Sequence, residues 1–145
     1  MDLFTWLALT NYGAAFLITT AFACAYLSRT MYMPYHEIAV GRSWSEVDPP
    51  MQLLLLALIK VVGATSLALS VGGYFQLYLL LSREWALVVL FVFQGYCLIA
   101  IAPPIVVAMY VRRKSNAHPP IVSGYFALLL TLTGFMFAWL SGRFS

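Results

Sequence analysis

Four apolar runs, each long enough to cross a lipid bilayer, constrain this 145-residue chain more than any other feature of its sequence. The hydrocarbon core of a bilayer is about 30 Å thick, so a helix needs about 20 apolar residues to span it. The runs cover residues 3–27, 49–81, 85–111 and 119–140. Only 9% of the residues are charged, against roughly 25% in soluble domains. We therefore predict an all-α fold, an integral membrane four-helix bundle that forms a single transmembrane domain over residues 1–145, with a short interfacial loop between the first two helices.

The basic residues are unequally divided between the two sides of the membrane. The loops after the first and third runs carry more Lys and Arg than the opposite side does. The residues concerned are Arg29, Arg42, Arg112, Arg113 and Lys114 on the first side and Arg83 and Arg143 on the other. Because cytoplasmic loops are enriched in Lys and Arg, this bias predicts that both termini are non-cytoplasmic. The expected partner is the lipid bilayer, and no basic cluster typical of nucleic-acid binding occurs.

Lys60 lies inside the second apolar run and permits two interpretations. The stretch from Met51 to Leu81 would be about 46 Å long as a continuous helix, which exceeds one bilayer crossing. If residues from 61 onwards occupy the hydrocarbon, the Lys60 ammonium lies at the membrane boundary and reaches water, and the sequence favours this interpretation. The alternative is a buried ammonium paired with an acidic residue of the preceding loop, namely Glu37, Glu46 or Asp48.

Polar residues of three different runs lie at a similar depth. Asn11, Gln94 and Thr131 each lie about 12 to 14 Å inward from the same side, at about 1.5 Å per residue. An amide in hydrocarbon needs hydrogen-bond partners, so these side chains are expected to face one another and to join the helices. The alternative is a polar pocket between helices that binds a ligand head group, with Tyr12 and Tyr96 beside it. These five residues are the predicted ligand-binding residues.

Two further patterns concern helix packing and helix shape. Ala64, Ala68 and Gly72 recur every four residues, which predicts a face that another helix approaches closely, and packing within the bundle is slightly favoured over packing in a homodimer. Pro103 and Pro104 lie within the third run, where each removes a helical hydrogen bond and predicts a bend. The bend is either a fixed shape or a hinge whose freed carbonyls line a pathway.

The loop between the first two runs is rich in aromatic residues and is predicted to lie at the membrane interface. Tyr32, Tyr35 and Trp44 have the amphipathic rings that settle at the level of the lipid head groups. Pro34 is expected to end the first helix, and the segment 43–46 matches a capping box that begins a short helical turn.

The two histidines of the chain are predicted on the same side as this loop. His36 and His118, with Glu37 and Lys60, are the candidate catalytic residues of an enzyme working at the membrane boundary. The favoured interpretation is that each histidine hydrogen-bonds to backbone or lipid head groups, because the spacings typical of zinc ligands are missing from the sequence. We therefore predict no metal site and no cofactor.

Three segments of the chain, MPYHEIAVGRSW, QLLLLALIKVVG and SREWA, resemble a group of small uncharacterised bacterial inner-membrane proteins of about this length. The overall layout is also similar to the broad DoxX-like class of four-helix proteins, without a residue-by-residue match. The resemblance implies four membrane helices in a bacterial inner (cytoplasmic) membrane. It carries over no activity and no functional residue.

Three functional interpretations follow. The favoured one is a non-enzymatic membrane protein, an accessory or assembly partner of another membrane protein or a homo-oligomer, because almost all of the chain lies within the bilayer. The second is a binder or carrier of a lipid, a quinone or another apolar small molecule in an intramembrane pocket. The third and least favoured is a small membrane enzyme acting at the cytoplasmic interface.

Overall fold

The structure, a computed structural model, describes residues 2–82 and 86–143. These residues form the helices α1 (Leu3–Leu27), α2 (Pro34–Val40), α3 (Pro49–Ser82), α4 (Leu87–Ser115) and α5 (Ile121–Leu140), and a 3-10 turn at Trp44–Glu46. Four of the helices, α1, α3, α4 and α5, are long and apolar enough to cross a membrane. The predicted all-α fold class is confirmed, and the chain is an integral membrane protein.

The ends of the long helices follow from local chemistry. Helix α4 continues to Ser115, beyond the predicted end at residue 111. The basic residues 112–114 stabilise this last turn, because positive charges interact favourably with the negative end of the helix dipole. Asn116 then takes a left-handed conformation with φ of 53° and ends the helix. Helix α5 begins at Ile121, after two prolines. The predicted start of the third span at Trp85 lies outside the described residues.

The two ends of the bundle differ in structure. At the terminal end, where α1 begins and α5 ends, the Arg143 guanidinium donates to the Leu81 carbonyl at 3.1 Å and Asp2 caps α1. The loop end holds α2, the 3-10 turn, the end of α4 and the start of α5. Helix α1 packs against α3 and α5, and α4 packs against α5. The contact between α3 and α4 is much smaller, so these two helices are less closely packed than the pairs just named.

Glycines set the closest approaches between the helices. A Cβ at Gly73 of α3 would lie 2.3 Å from the ring of Phe16, and one at Gly134 of α5 would lie 3.0 Å from the ring of Tyr12. Both rings are almost fully buried on α1. Helix α1 can therefore approach α3 and α5 closely because each of them presents a glycine to one of its aromatic side chains.

The predicted small-residue face of α3 differs from the face that packs. Ala64 and Ala68 are exposed, and only Gly72 of that stripe meets another helix, at the hydroxyl of Tyr96. The favoured prediction that the whole stripe packs inside the bundle is therefore wrong. The buried positions of α3 lie on a different face of the helix, and they are Ile59, Gly63, Ser70, Gly73, Leu77 and Leu80.

The loop between α1 and α3 is more helical than predicted. Pro34 does not end α1, which finishes at Leu27, but occupies the first turn of α2, where the missing N–H needs no partner. Gly41, with φ of 72°, ends α2 in the left-handed conformation that favours glycine. The predicted capping box is confirmed, because the Ser43 N–H donates to the Glu46 carboxylate at 2.8 Å.

Replacing Gly73 with Ala tests the contact between α1 and α3. The added methyl would overlap the Phe16 ring, which is packed against Tyr74 and Phe93 and has little freedom to move. We expect Gly73→Ala to lower the free energy of unfolding by about 1 to 3 kcal/mol, measured in mixed micelles with SDS. The matched control is Gly95→Ala on α4, where no atom lies within 4 Å of the new Cβ. An equal loss in both variants would contradict this account.

Candidate functional site

A cavity of about 610 Å³ lies between α3 and α4 in the loop-end half of the bundle. All five helices contribute to its wall. Leu58 and Val62 of α3 and Val107 of α4 line it and are also exposed, so the cavity opens onto the lipid-facing surface. Its deepest residues, near the middle of the bundle, include Ser66 and Ala127. The volume falls within the range of roughly 300 to 1,000 Å³ that ligand pockets have.

Helix α4 lies close to α5 beside the cavity, which leaves the space between α4 and α3 open. A Cβ at Gly124 of α5 would lie 2.8 Å from the Ile105 side chain, so these helices are in close contact beside the cavity. Helix α4 is continuous through Pro103 and Pro104, which have no N–H to donate, and the carbonyl of Ala100 thereby loses its helical donor. Pro104 and Ala100 both line the cavity. That freed carbonyls line a pathway stays a prediction, and the cavity beside Ala100 is where such a pathway would lie.

Four ring side chains form the polar end of the cavity, at the loop end. They are Tyr26 of α1, Tyr32 of the loop, and Tyr35 and His36 of α2. The His36 ring centroid lies 4.3 Å from that of Tyr35, 6.2 Å from that of Tyr26 and 6.5 Å from that of Tyr32. Helix α2 contacts α4 and so covers the loop end of the gap between α3 and α4. We call these four residues the ring cluster.

The hydrogen bonding of His36 defines which nitrogen carries its proton. The Met33 N–H donates to His36 Nδ1 at 3.3 Å, in the reciprocal arrangement of a capping box at the start of α2. Burial lowers the pKa of His36, so the ring is neutral at pH 7. Because Nδ1 accepts, the proton of the neutral ring is on Nε2, which is therefore a hydrogen-bond donor.

The three tyrosines of the ring cluster differ in how their hydroxyl groups are used. The Tyr32 hydroxyl donates to the Arg42 carbonyl. The hydroxyls of Tyr26 and Tyr35 are hydrogen-bonded to each other. In such a pair one hydroxyl donates and the other accepts, so the accepting group keeps its own O–H for a further partner.

The structure separates the candidate catalytic residues. Only His36 lines the cavity, whereas Glu37 and His118 are exposed. The Lys60 ammonium donates to the carbonyl of Leu27 at the end of α1. The negative end of the α1 dipole also attracts a cation at this position. The partner of Lys60 is thus a backbone carbonyl and not one of the three carboxylates considered above. Within residues 2–82 and 86–143, no group of three or more His, Cys, Asp or Glu side chains is placed to hold a metal ion.

The predicted ligand-binding residues lie in the terminal half of the bundle, outside the wall of the cavity. The Tyr12 hydroxyl donates to Gln94 Oε1 at 2.8 Å, which joins α1 to α4. The Thr133 hydroxyl donates to Asn11 Oδ1 at 2.8 Å, which joins α5 to α1. Three of the five predicted residues, Tyr12, Gln94 and Asn11, thus make the side-chain bonds between helices that the favoured interpretation requires.

The other two predicted residues bond to backbone carbonyls. The Thr131 hydroxyl, fully buried, donates to Leu128 of its own helix at 2.8 Å, and the Tyr96 hydroxyl donates to Leu69 of α3. Gln94 Nε2 is buried and has no hydrogen-bond partner among the described residues. These contacts show how the helices are joined and do not test ligand binding. A ligand site in this layer therefore stays a prediction.

Sequence reasoning missed most of the ring cluster as a site. It assigned Tyr32 and Tyr35 to the membrane interface and gave Tyr26, inside an apolar run, no role. Tyr26 and Tyr35 are nine positions apart and belong to different helices, so no helical spacing relates them. The available signal was the aromatic content of the loop, which predicted a position at the membrane interface and did not indicate what the rings contact.

Comparisons of the chain with protein-family models, with curated proteins and with solved structures found no match. The class of protein therefore rests on the fold and the site alone. They define an integral membrane helical bundle with a lipid-facing cavity that ends in a cluster of aromatic donors.

The pH dependence of stability tests the state of His36. The unfolded chain protonates this ring near its ordinary pKa of about 6.5, whereas the folded protein has a lower pKa for it because of burial. The unfolded state then binds more protons below this pH, so the free energy of unfolding should fall as the pH decreases from about 7.5 to about 5.5. Asp2 and Glu46, whose pKa values are lowered by hydrogen bonds from backbone N–H groups, stay ionised across this range.

The control for this measurement is His36→Gln. Glutamine at this position of a capping box accepts a hydrogen bond from the same backbone N–H and does not titrate. Unfolding in mixed micelles at both pH values should therefore show a smaller loss of stability in the variant than in the wild type. An equal loss in both proteins would contradict the assigned role of His36.

Replacing Tyr12 with Phe tests the terminal-half polar layer. The change removes the donor to Gln94, whose buried amide already has one group without a partner among the described residues. We expect the free energy of unfolding to fall by about 1 to 3 kcal/mol. The control is Tyr78→Phe on the exposed surface of α3, where the effect should stay within about 0.5 kcal/mol. An unchanged free energy of unfolding in Tyr12→Phe would contradict the inference that this bond holds α1 and α4 together.

Proposed function

We propose that the protein is a non-enzymatic binder or carrier of an apolar small molecule, a lipid or a quinone, in the cavity between α3 and α4. One observation carries this proposal: a mainly apolar cavity of about 610 Å³ that opens onto the lipid-facing surface. A molecule dissolved in the bilayer reaches such an opening by lateral diffusion, without crossing water. The mouth residues Leu58, Val62 and Val107 offer it an apolar path.

The polarity of the cavity supports one orientation of the ligand. Its deep part, around Ser66, Ala100 and Ala127, is largely apolar and suits a hydrocarbon tail. The polar end contains Tyr26, Tyr35 and His36. A ligand with its head group at the loop end and its tail towards the middle of the bundle satisfies both regions.

The distribution of basic residues supports a place in the cell. We assign the protein to a bacterial inner membrane with both termini non-cytoplasmic, as the residues at the loop end and the sequence resemblance favour. The ring cluster then lies at the cytoplasmic boundary of the membrane. Ligand exchange with a cytoplasmic or membrane-associated partner would occur at this level.

A second candidate function is supported by the surface of α3. Ala64 and Ala68 are small, exposed and one helical turn apart, which is typical of positions where another membrane helix approaches. A role as an accessory partner or a homo-oligomer would use this surface. The enzyme interpretation has less support, since of its four candidate residues only His36 lines the cavity.

Native mass spectrometry of the protein extracted gently from its membrane tests the proposal. We expect the wild type to carry a small apolar molecule at one copy per chain. Ser66→Phe adds a ring to the cavity wall and should remove most of the bound mass, because the ring occupies the ligand's volume. Ala68→Phe is the matched control, since Ala68 lies two positions along the same helix, is exposed, and is outside the cavity wall.

Three other outcomes have distinct meanings. A wild-type protein that neither carries a small molecule nor takes up an added alkylbenzoquinone would overturn the proposal. Equal bound mass in the wild type and Ser66→Phe would place the ligand elsewhere and also contradict it. A stable homo-oligomer that Ala68→Phe dissociates, without any small ligand, would support the second candidate function.

A further inference from the structure

We propose that the ligand of this cavity has a neutral head group bearing a carbonyl oxygen, which accepts hydrogen bonds from His36 and from the hydroxyl pair of Tyr26 and Tyr35. This inference rests on the proposed function and specifies the class of ligand. It depends on the side chains that line the polar end of the cavity, on the hydrogen bonds they already make, and on the charges that the wall does and does not contain.

The first donor is the Nε2–H of His36. Its Nδ1 already accepts from the Met33 N–H, so the neutral ring can offer a ligand only a donor. A head group that can only donate hydrogen bonds would leave the His36 Nε2–H without an acceptor. The ring therefore selects a ligand with an acceptor atom.

The second donor belongs to the hydroxyl pair. The bond between the Tyr26 and Tyr35 hydroxyls uses one of their two hydrogens, and the other stays available at the same place. The Tyr32 hydroxyl lines the same end but already donates to the Arg42 carbonyl. The ring cluster thus retains two donors, one on His36 and one in the hydroxyl pair of Tyr26 and Tyr35.

The composition of the cavity wall disfavours ionic head groups. Among the described residues that line the cavity, none is Lys, Arg, Asp or Glu. A phosphate or ionised carboxylate would lie in an apolar cavity without a cation to neutralise it, and an ammonium would lack an anion. A neutral carbonyl needs no counterion and is satisfied by the two donors. Quinones and the esters of acyl lipids share this chemistry.

The test compares three probes that have the same alkyl tail: an alkylbenzoquinone, a fatty-acid methyl ester and an alkylbenzene. Binding to the full chain in mild detergent is measured by equilibrium dialysis. We expect at least one carbonyl probe to bind about fivefold more tightly than the alkylbenzene, which corresponds to about 1 kcal/mol, the net value of one hydrogen bond. Tighter binding of the quinone or of the ester identifies which source of the carbonyl the cavity prefers.

Variants of the ring cluster identify the donors. His36→Phe and the double variant Tyr26→Phe with Tyr35→Phe should each reduce the advantage of the carbonyl probe severalfold and leave alkylbenzene binding unchanged. Tyr78→Phe is the matched control, because its side chain is exposed and lies outside the cavity wall, and should keep the full advantage. His36→Gln should restore part of the advantage lost in His36→Phe, because an amide both accepts from Met33 and donates.

Alkylbenzene binding also shows whether each variant has kept its cavity. Equal affinities of the wild type for all three probes would overturn this inference and leave the proposed function intact. A parallel loss of all probes in the ring-cluster variants would also overturn it, because the residues would then only shape the cavity. If the wild type binds none of the probes, the proposed function and this inference both fail.

Discussion

The rest of the bundle depends on one kind of contact: aromatic rings of α1 pack against glycines of the neighbouring helices. Phe16 lies on Gly73 of α3, and Tyr12 lies on Gly134 of α5. In a membrane the hydrophobic effect gives little attraction between helices, so close van der Waals packing and hydrogen bonds must hold them together. Helix α1 is consequently the centre of the arrangement, and α3 and α4 need not touch closely for the bundle to form.

This arrangement divides the molecule into two halves with different chemistry. In the terminal half the buried rings of Tyr12, Phe16 and Phe93 fill the space between the helices, and the Tyr12 hydroxyl bonds to Gln94. In the loop half, Gly124 brings α5 against Ile105 of α4, and a gap remains on the side of α3. Polar groups of the first half are used mainly to join helices, whereas the ring cluster of the second half retains donors. A ligand site is therefore expected where the bundle is open.

The sequence predicted the parts of the fold that depend on long-range composition. Length and apolar content placed the four long helices, and counting along them placed Asn11 and Gln94 in one polar layer, where each now bonds to a neighbouring helix. Counting could not supply the rotation of α3 about its axis. The interval of four between Ala64 and Ala68 therefore suggested a packing face that the structure leaves exposed. Similarly, the seven residues of α2 were too few to give a helical pattern.

The cavity could not be predicted because it arises from the absence of a contact. Its wall draws on all five helices, and most of its residues are apolar side chains that also suit a lipid-facing position. The ring cluster distinguishes the cavity from a gap filled by lipid tails, since a hydrocarbon tail offers no acceptor to its N–H and O–H donors. A neutral His36 and the spare hydroxyl of the tyrosine pair are stabilised by an acceptor that reaches them. Water at the loop end or a carbonyl head group can supply it, and a carbonyl molecule also fills the apolar remainder that water would leave dry.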